Sequence, residues 1–182
     1  MLNNFKYWLE TFVFNNTALQ TTSDTTASSN LKRSVKATDG SSWISYYRKN
    51  TLSYSMLGIV STSINGDGTG IILGTDGNTK TVEESFKLGS DITSNFTLSS
   101  PSSSVTFKDG KIQLIVSAKY ENGTDQPLTI NEIGLTRSWS AYVGSTMTKK
   151  VLLDRKSVAD ENFTPVTLAP GESKIFMYVL EF

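Results

Sequence analysis

Four carboxylates in this chain are the residues best placed for acid–base work: Glu83 and Glu84, Glu132, and Asp154. Two carboxyl groups flanking a sugar–sugar bond hydrolyse it, one as acid and the other as base or nucleophile. Glu83 and Glu84 are adjacent, however, and point in different directions, and no constellation surrounds them. All four read as surface charge. The chain holds no His and no Cys, which removes most nucleophile–base pairs and nearly all zinc sites. No S-x-x-K stands at a strand–helix junction. The turns "NGDGTG" and "TDGN" bring Asp67, Asp76 and Asn78 close in sequence. Oxygen-rich glycine loops can hold calcium, but the closing Glu of an EF-hand is missing, so these read as hairpin turns. GxxxxGK[ST] is absent as well. The expectation is a protein that is not an enzyme and has no cofactor and no metal.

A second set of residues suits binding. Trp43, Tyr46 and Tyr47 cluster in "SSWISYYRKN" beside Arg48 and Lys49. Such rings stack on sugars when exposed, and belong to a core or an interface when not. With Trp139 they make a glycan-binding module for host attachment the alternative reading. Nucleic acid is not an expected partner. Lys+Arg and Asp+Glu each number 17, and phosphate binding needs clustered positive charge. The most basic stretch, "LKRSVK" at 31–36, reads as a solvated face. No membrane partner is expected either, since no apolar run nears the roughly 18 residues of a span. The start, "MLNNFKYWLETFVFNN", lacks the layout of a signal peptide.

These residues must be positioned by strands. Ser and Thr abound, and turn chemistry recurs at short intervals. In "KIQLIVSAKY" the residues Ile112, Leu114, Val116 and Ala118 share one face. "KDGK" at 108–111 is an Asp-Gly hairpin signal. Further strands are expected at 53–64, 71–74 and 149–158, with "LTINEIGL" as one more, and a single helical turn within 82–92. The stretch 165–182 reads as a closing hairpin turned by Pro170-Gly171. No long helical period follows residue 14. The fold class is all-β, an antiparallel β-sandwich (jelly-roll or immunoglobulin-like), with an extended or partly helical N-terminal arm. Residues 1–30 form the arm and a polar linker, and 31–182 form the sandwich domain.

The last strand is apolar on both faces: Phe176, Tyr178, Leu180 and Phe182 on one, Ile175, Met177 and Val179 on the other. Two apolar faces call for cover on both sides, from the domain or from a neighbouring subunit. With Phe5, Trp8 and Phe12 of the arm, the residues Phe176, Tyr178, Leu180 and Phe182 are the candidate interface.

Two stretches carry a resemblance. "GTGIILGTDGNTKTVEESFKL" is similar to a segment of small β-rich structural proteins of tailed bacteriophages, in which an apolar strand and a "vGtg" turn precede a "dDykL"-like element. "LTINEIGLTRSW", then "KKVLLDRKSV", then "PVTLAPGESKIFMYVLEF" resemble the C-terminal half of the same proteins, patterned "iti.EiGL", "LlaR" and "pvtv.pGe…v.Y.ieF". The coincident positions include Glu132, Gly134, Leu135, Leu152, Leu153, Arg155, Pro170, Gly171, Glu172, Tyr178, Glu181 and Phe182. The chain departs at Glu84, where the family often has Asp, and by an insert at 136–148. The resemblance implies a virion component, made in the bacterial host cytoplasm and built with other phage structural proteins, capsid or tail subunits, into a symmetric particle. It implies a homo-oligomer in that particle, in the head or in the tail and collar. Glu132 and Arg155 are the charges within the matching strands and are expected to form a structural ion pair.

Overall fold

The structure, a computed structural model, describes residues 2, 33–45, 70–142 and 146–181. Ten strands form among them: β1 (Arg33–Lys36), β2 (Ser42–Ser45), β3 (Gly70–Gly74), β4 (Phe96–Lys108), β5 (Lys111–Asn122), β6 (Leu128–Ile130), β7 (Glu132–Tyr142), β8 (Thr146–Ser157), β9 (Val166–Leu168) and β10 (Ser173–Glu181). Every pairing between them is antiparallel. One three-stranded sheet runs β3–β7–β8 and another β10–β5–β4, while β1–β2 and β6–β9 make two-stranded ribbons. The described residues are all-β. No helix among the described residues is long and apolar enough to cross a membrane.

Local chemistry explains the breaks. At the β4–β5 hairpin Asp109 and Gly110 have φ of 52° and 77°, and Lys108 pairs with Lys111. Positive φ at both central residues is what a two-residue turn needs to match strand twist. Pro101 has no amide hydrogen to give a ladder, so it sits where the β4 register shifts between Ser99 and Ser102. "LTINEIGL" is two strands rather than one. Asn131 breaks it, donating its backbone N–H to Gly74 O at 2.9 Å and its side-chain amide to Thr75 O at 2.6 Å. The stretch 82–92 holds no helical turn of its own. Ser85 N–H closes a tight turn onto Val82 O at 2.9 Å, and the nearest 3₁₀ turn is Thr93–Asn95.

The closing hairpin is also corrected. β9 pairs with β6 and β10 pairs with β5, so the two strands leave the Pro170-Gly171 turn for different sheets. Asn122 sends them apart. Its backbone bonds Glu172 O and Gly171 N–H, both at 2.9 Å. Its side-chain amide donates to Leu168 O at 3.0 Å and Gln126 O at 2.8 Å. The insert at 136–148 is no separate loop, because β7 and β8 continue into it and pair as far as Tyr142 with Thr146. The strand expected at 53–64 lies outside the described residues, as does the turn "NGDGTG" at 65–70 except for Gly70, which opens β3.

A single core cluster draws on both three-stranded sheets: Ile71 and Leu73 of β3, Leu135 of β7, Leu153 of β8, Leu114 to Tyr120 on alternate positions of β5, and Phe176, Tyr178 and Leu180 of β10. Tyr120 sits edge-on between Phe96 and Phe176, with ring centroids 6.2 and 5.8 Å away. Its hydroxyl donates to Ile71 O in the other sheet. Each fully buried side chain of this size contributes about 1.5–3 kcal/mol.

Candidate functional site

The β3–β7–β8 register sets Gly74, Glu132 and Ser157 in one row, and Ile72, Gly134 and Arg155 in the next, on the face away from the main core. There Glu132 and Arg155 meet. Glu132 Oε2 accepts from Arg155 Nε at 2.7 Å and stands 2.6 Å from Nη2 in the ion pair. Glu132 Oε1 accepts the backbone N–H groups of Gly89 at 2.8 Å and Ser90 at 3.2 Å. Arg155 Nη1 donates to Thr79 O at 2.8 Å. The side chains are 0% and 3% exposed. Burial pushes the Glu132 carboxyl up, while Arg155 and the two amides hold against it. A buried pair is stable only when its remaining donors and acceptors are met, and here both carboxylate oxygens are.

The pair binds a loop. Residues 75–92 lie over this face, and Glu132 and Arg155 hold the loop from both ends through Gly89, Ser90 and Thr79. Asp160 adds to the hold, accepting Thr81 N–H at 2.8 Å and Ser157 Oγ–H at 2.8 Å. Gly74 makes the approach possible: a Cβ there would stand 2.6 Å from Glu132 Oε1 and 2.8 Å from Ser90 O.

Asp154 lies on the opposite face of β8 and accepts Tyr178 Oη–H at 3.0 Å across the core. Lys156 Nζ sits 4.9 Å from the Tyr178 ring centroid. Burial raises the Asp154 carboxyl, with the Tyr178 hydrogen bond opposing it. Burial and then the Asp154 charge push the Tyr178 hydroxyl well above its ordinary range. Glu132 is therefore a buried structural group and Asp154 a half-buried one, a correction to their reading as surface charge. They face opposite sides of one sheet, so they do not flank a common gap. Glu83 and Glu84 are exposed, and Asp76 Oδ1 caps Asn78 N–H at 3.2 Å. Among the described residues no three His, Cys, Asp or Glu gather as metal ligands.

On the candidate interface the structure changes which side of β10 is available. Phe176, Tyr178 and Leu180 are buried in this chain's own core. The other face is open: Ile175 is 65% and Met177 58% exposed, with Val179 and Ile115 half-buried beside them. At the tip of the β4–β5 hairpin Phe107 is also 77% exposed, but its pairing with Ile112 sets it on the other side of the sheet, the side that carries Leu114 and Tyr178. Alternation had marked both faces of β10 as apolar, but only packing chooses which one faces inward. Phe5, Trp8, Phe12, Tyr46, Tyr47 and Phe182 lie outside the described residues. Trp43 is on β2 opposite Val35, and Trp139 is on β7 opposite Lys149.

Fold and site together define an all-β protein of antiparallel sheets, clamped by a buried ion pair and open along one apolar strand face. No known protein family, curated protein or solved structure matches the chain.

Proposed function

We propose that this chain is a non-enzymatic structural component of a tailed-phage virion, an auxiliary capsid or head-associated protein whose copies pack in a symmetric assembly. In this reading β10–β5–β4 and β3–β7–β8 are the two layers of a β-sandwich. The shared core and the Tyr178–Asp154 and Tyr120–Ile71 bonds between the sheets support that architecture. The observation that carries the assembly reading is the outer face of β10. Ile175 and Met177 are exposed on a strand whose inner face is already packed, and contiguous exposed apolar residues mark contact surfaces. The test is light scattering of the purified chain over a concentration series, beside an Ile175→Lys, Met177→Glu variant. The reading expects a closed ring or larger species from the unaltered chain and a single-chain mass near 20.0 kDa from the variant. A single-chain mass for both at every concentration would overturn it.

A further inference from the structure

The outer strand of a sheet leaves a row of N–H and C=O groups without partners, and folded proteins block such edges. Three of the four outer strands of the two larger sheets carry a block. Beside β3, Ile92 N–H donates to Leu73 O at 2.9 Å, and Thr93 Oγ accepts Leu73 N–H at 2.9 Å. On β8, Lys150 O accepts Thr38 N–H at 2.9 Å. β4 carries Pro101, which has no N–H to give, at its register shift. β10 carries no such device. It is the outermost strand of β10–β5–β4 among the described residues. It has no proline, and its register with β5 is unbroken from Ser173–Glu121 to Glu181–Gln113.

The antiparallel ladder fixes which groups face outward. Along an outer strand, residues alternate between bonding the neighbour and pointing away from it. Asn122 N–H donates to Glu172 O at 2.9 Å, which sets the even-numbered residues of β10 toward β5. The N–H and C=O groups of Ile175, Met177 and Val179 therefore point out of the sheet edge. These same three residues carry the apolar side chains of the open face.

We propose that β10 pairs along this edge, antiparallel, with β10 of a second copy, Met177 facing Met177 across a two-fold axis. This rests on the assembly reading above and names a contact within it. Centring on Met177 lets all nine residues of the strand pair. It sets Ile175 opposite Val179, and Phe176 opposite Tyr178, of the second copy, and such β-branched and aromatic cross-strand pairs are favourable. The charges complement one another as well. Lys174 and Glu181 stand at opposite ends of β10, so an antiparallel copy brings each within one rung of its opposite. Glu181 already accepts from Lys111 and Gln113 in its own chain, which fixes where its charge sits. A parallel copy would set like charge against like. The contact is isologous and therefore closes at two chains. It joins two three-stranded sheets into one of six, with the blocked β4 at both ends. The outer side chains of Ile175 and Met177 stay available for packing between such pairs.

The test on the unaltered chain is amide hydrogen exchange read residue by residue, beside light scattering over a concentration series. Pairing expects the Ile175, Met177 and Val179 amides to exchange fast in dilute solution and to slow at least tenfold as the mass rises. The Phe176 and Tyr178 amides, directed at β5, stay protected throughout. Because the chain has no cysteine, Met177→Cys reads the register. Facing Cα atoms in such a pair are about 5.5 Å apart, within the roughly 4.4–6.8 Å that a disulfide spans. The two copies of Ile175→Cys stand four rungs apart, about 14 Å at roughly 3.4 Å per residue. Mild oxidation is expected to join Met177→Cys chains in pairs and to leave Ile175→Cys chains single. Equal joining of the two variants overturns the proposal. If the mass rises while the three amides gain no protection, edge pairing is overturned and the assembly reading stands. Protection with a mass that stops at two chains keeps the pairing and ends the larger assembly. If the mass never rises, both fall, and a strand from another protein is left as the occupant of the edge.

Discussion

Tyr178 and Asp154 join the two three-stranded sheets, hydroxyl to carboxylate, at 3.0 Å. The bond runs from β10 to an outer strand of the other sheet, with Asp154 half-buried. Its energetic sign depends on pH. Burial raises the folded-state Asp154 above the unfolded value of about 3.9. Between those values the folded chain binds more protons than the unfolded one, so this group's contribution falls as pH rises through the window.

Asp154→Asn keeps an acceptor for Tyr178 and removes the titration. We expect the variant to gain on the unaltered chain as pH rises from about 4 to 7. The check is the urea midpoint of both chains at several pH values. A stability difference that stays constant with pH would rule the account out.

For Glu132 and Arg155, removing one partner leaves the other charged and buried. Glu132→Leu and Arg155→Met are each expected to destabilise by about 3–5 kcal/mol. The double variant Glu132→Leu, Arg155→Met should recover much of that loss, because no uncompensated charge remains. Denaturant unfolding of the three variants measures it. Additive losses in the double variant would show that the two side chains do not act as a pair.

Gly74 and Gly110 are expected to respond to Ala for different reasons. At Gly74 the new methyl meets Glu132 and the Ser90 carbonyl, an overpacking expected to destabilise by about 1–3 kcal/mol and to loosen the 75–92 loop. At Gly110 nothing lies within 4 Å, but φ is +77°, and the left-handed conformation alone costs about 1–2 kcal/mol. Hydrogen exchange separates the two. Gly89 and Ser90 amides should lose protection in Gly74→Ala and keep it in Gly110→Ala.

Phe176 and Met177 are neighbours with opposite environments. Phe176→Ala empties part of the core and is expected to destabilise by about 3–5 kcal/mol. Met177→Ala, on the open face, should stay within about 0.5 kcal/mol. Thermal melts at low concentration check both, and equal losses would mean that β10 is covered on both sides within one chain.

Much of the fold is legible locally. Asp109-Gly110 announces its hairpin because positive φ at two successive residues is a property of the residues themselves. The alternation in β5 marks an inward face for the same reason, since strand geometry sends neighbouring side chains to opposite sides. The all-β class follows from turns and alternation accumulated along the chain. The break at Asn131 and the parting of β9 from β10 do not show locally. Each depends on a side-chain amide binding carbonyls far along the chain, Thr75 for one and Leu168 for the other. A polar residue in an apolar run carries no mark of the carbonyl that awaits it.

The same division holds for the site. Residue types and alternation establish that Glu132 and Arg155 sit in strands and that β10 is apolar on both sides. Backbone periodicity is enough for that. Which β10 face is buried, that Glu132 and Arg155 share a face, and that the pair clasps the 75–92 loop are settled by sheet register and packing. Register is a relation between strands, fixed by the packing of a whole face at once. No single strand contains it, so it exists only in the folded chain.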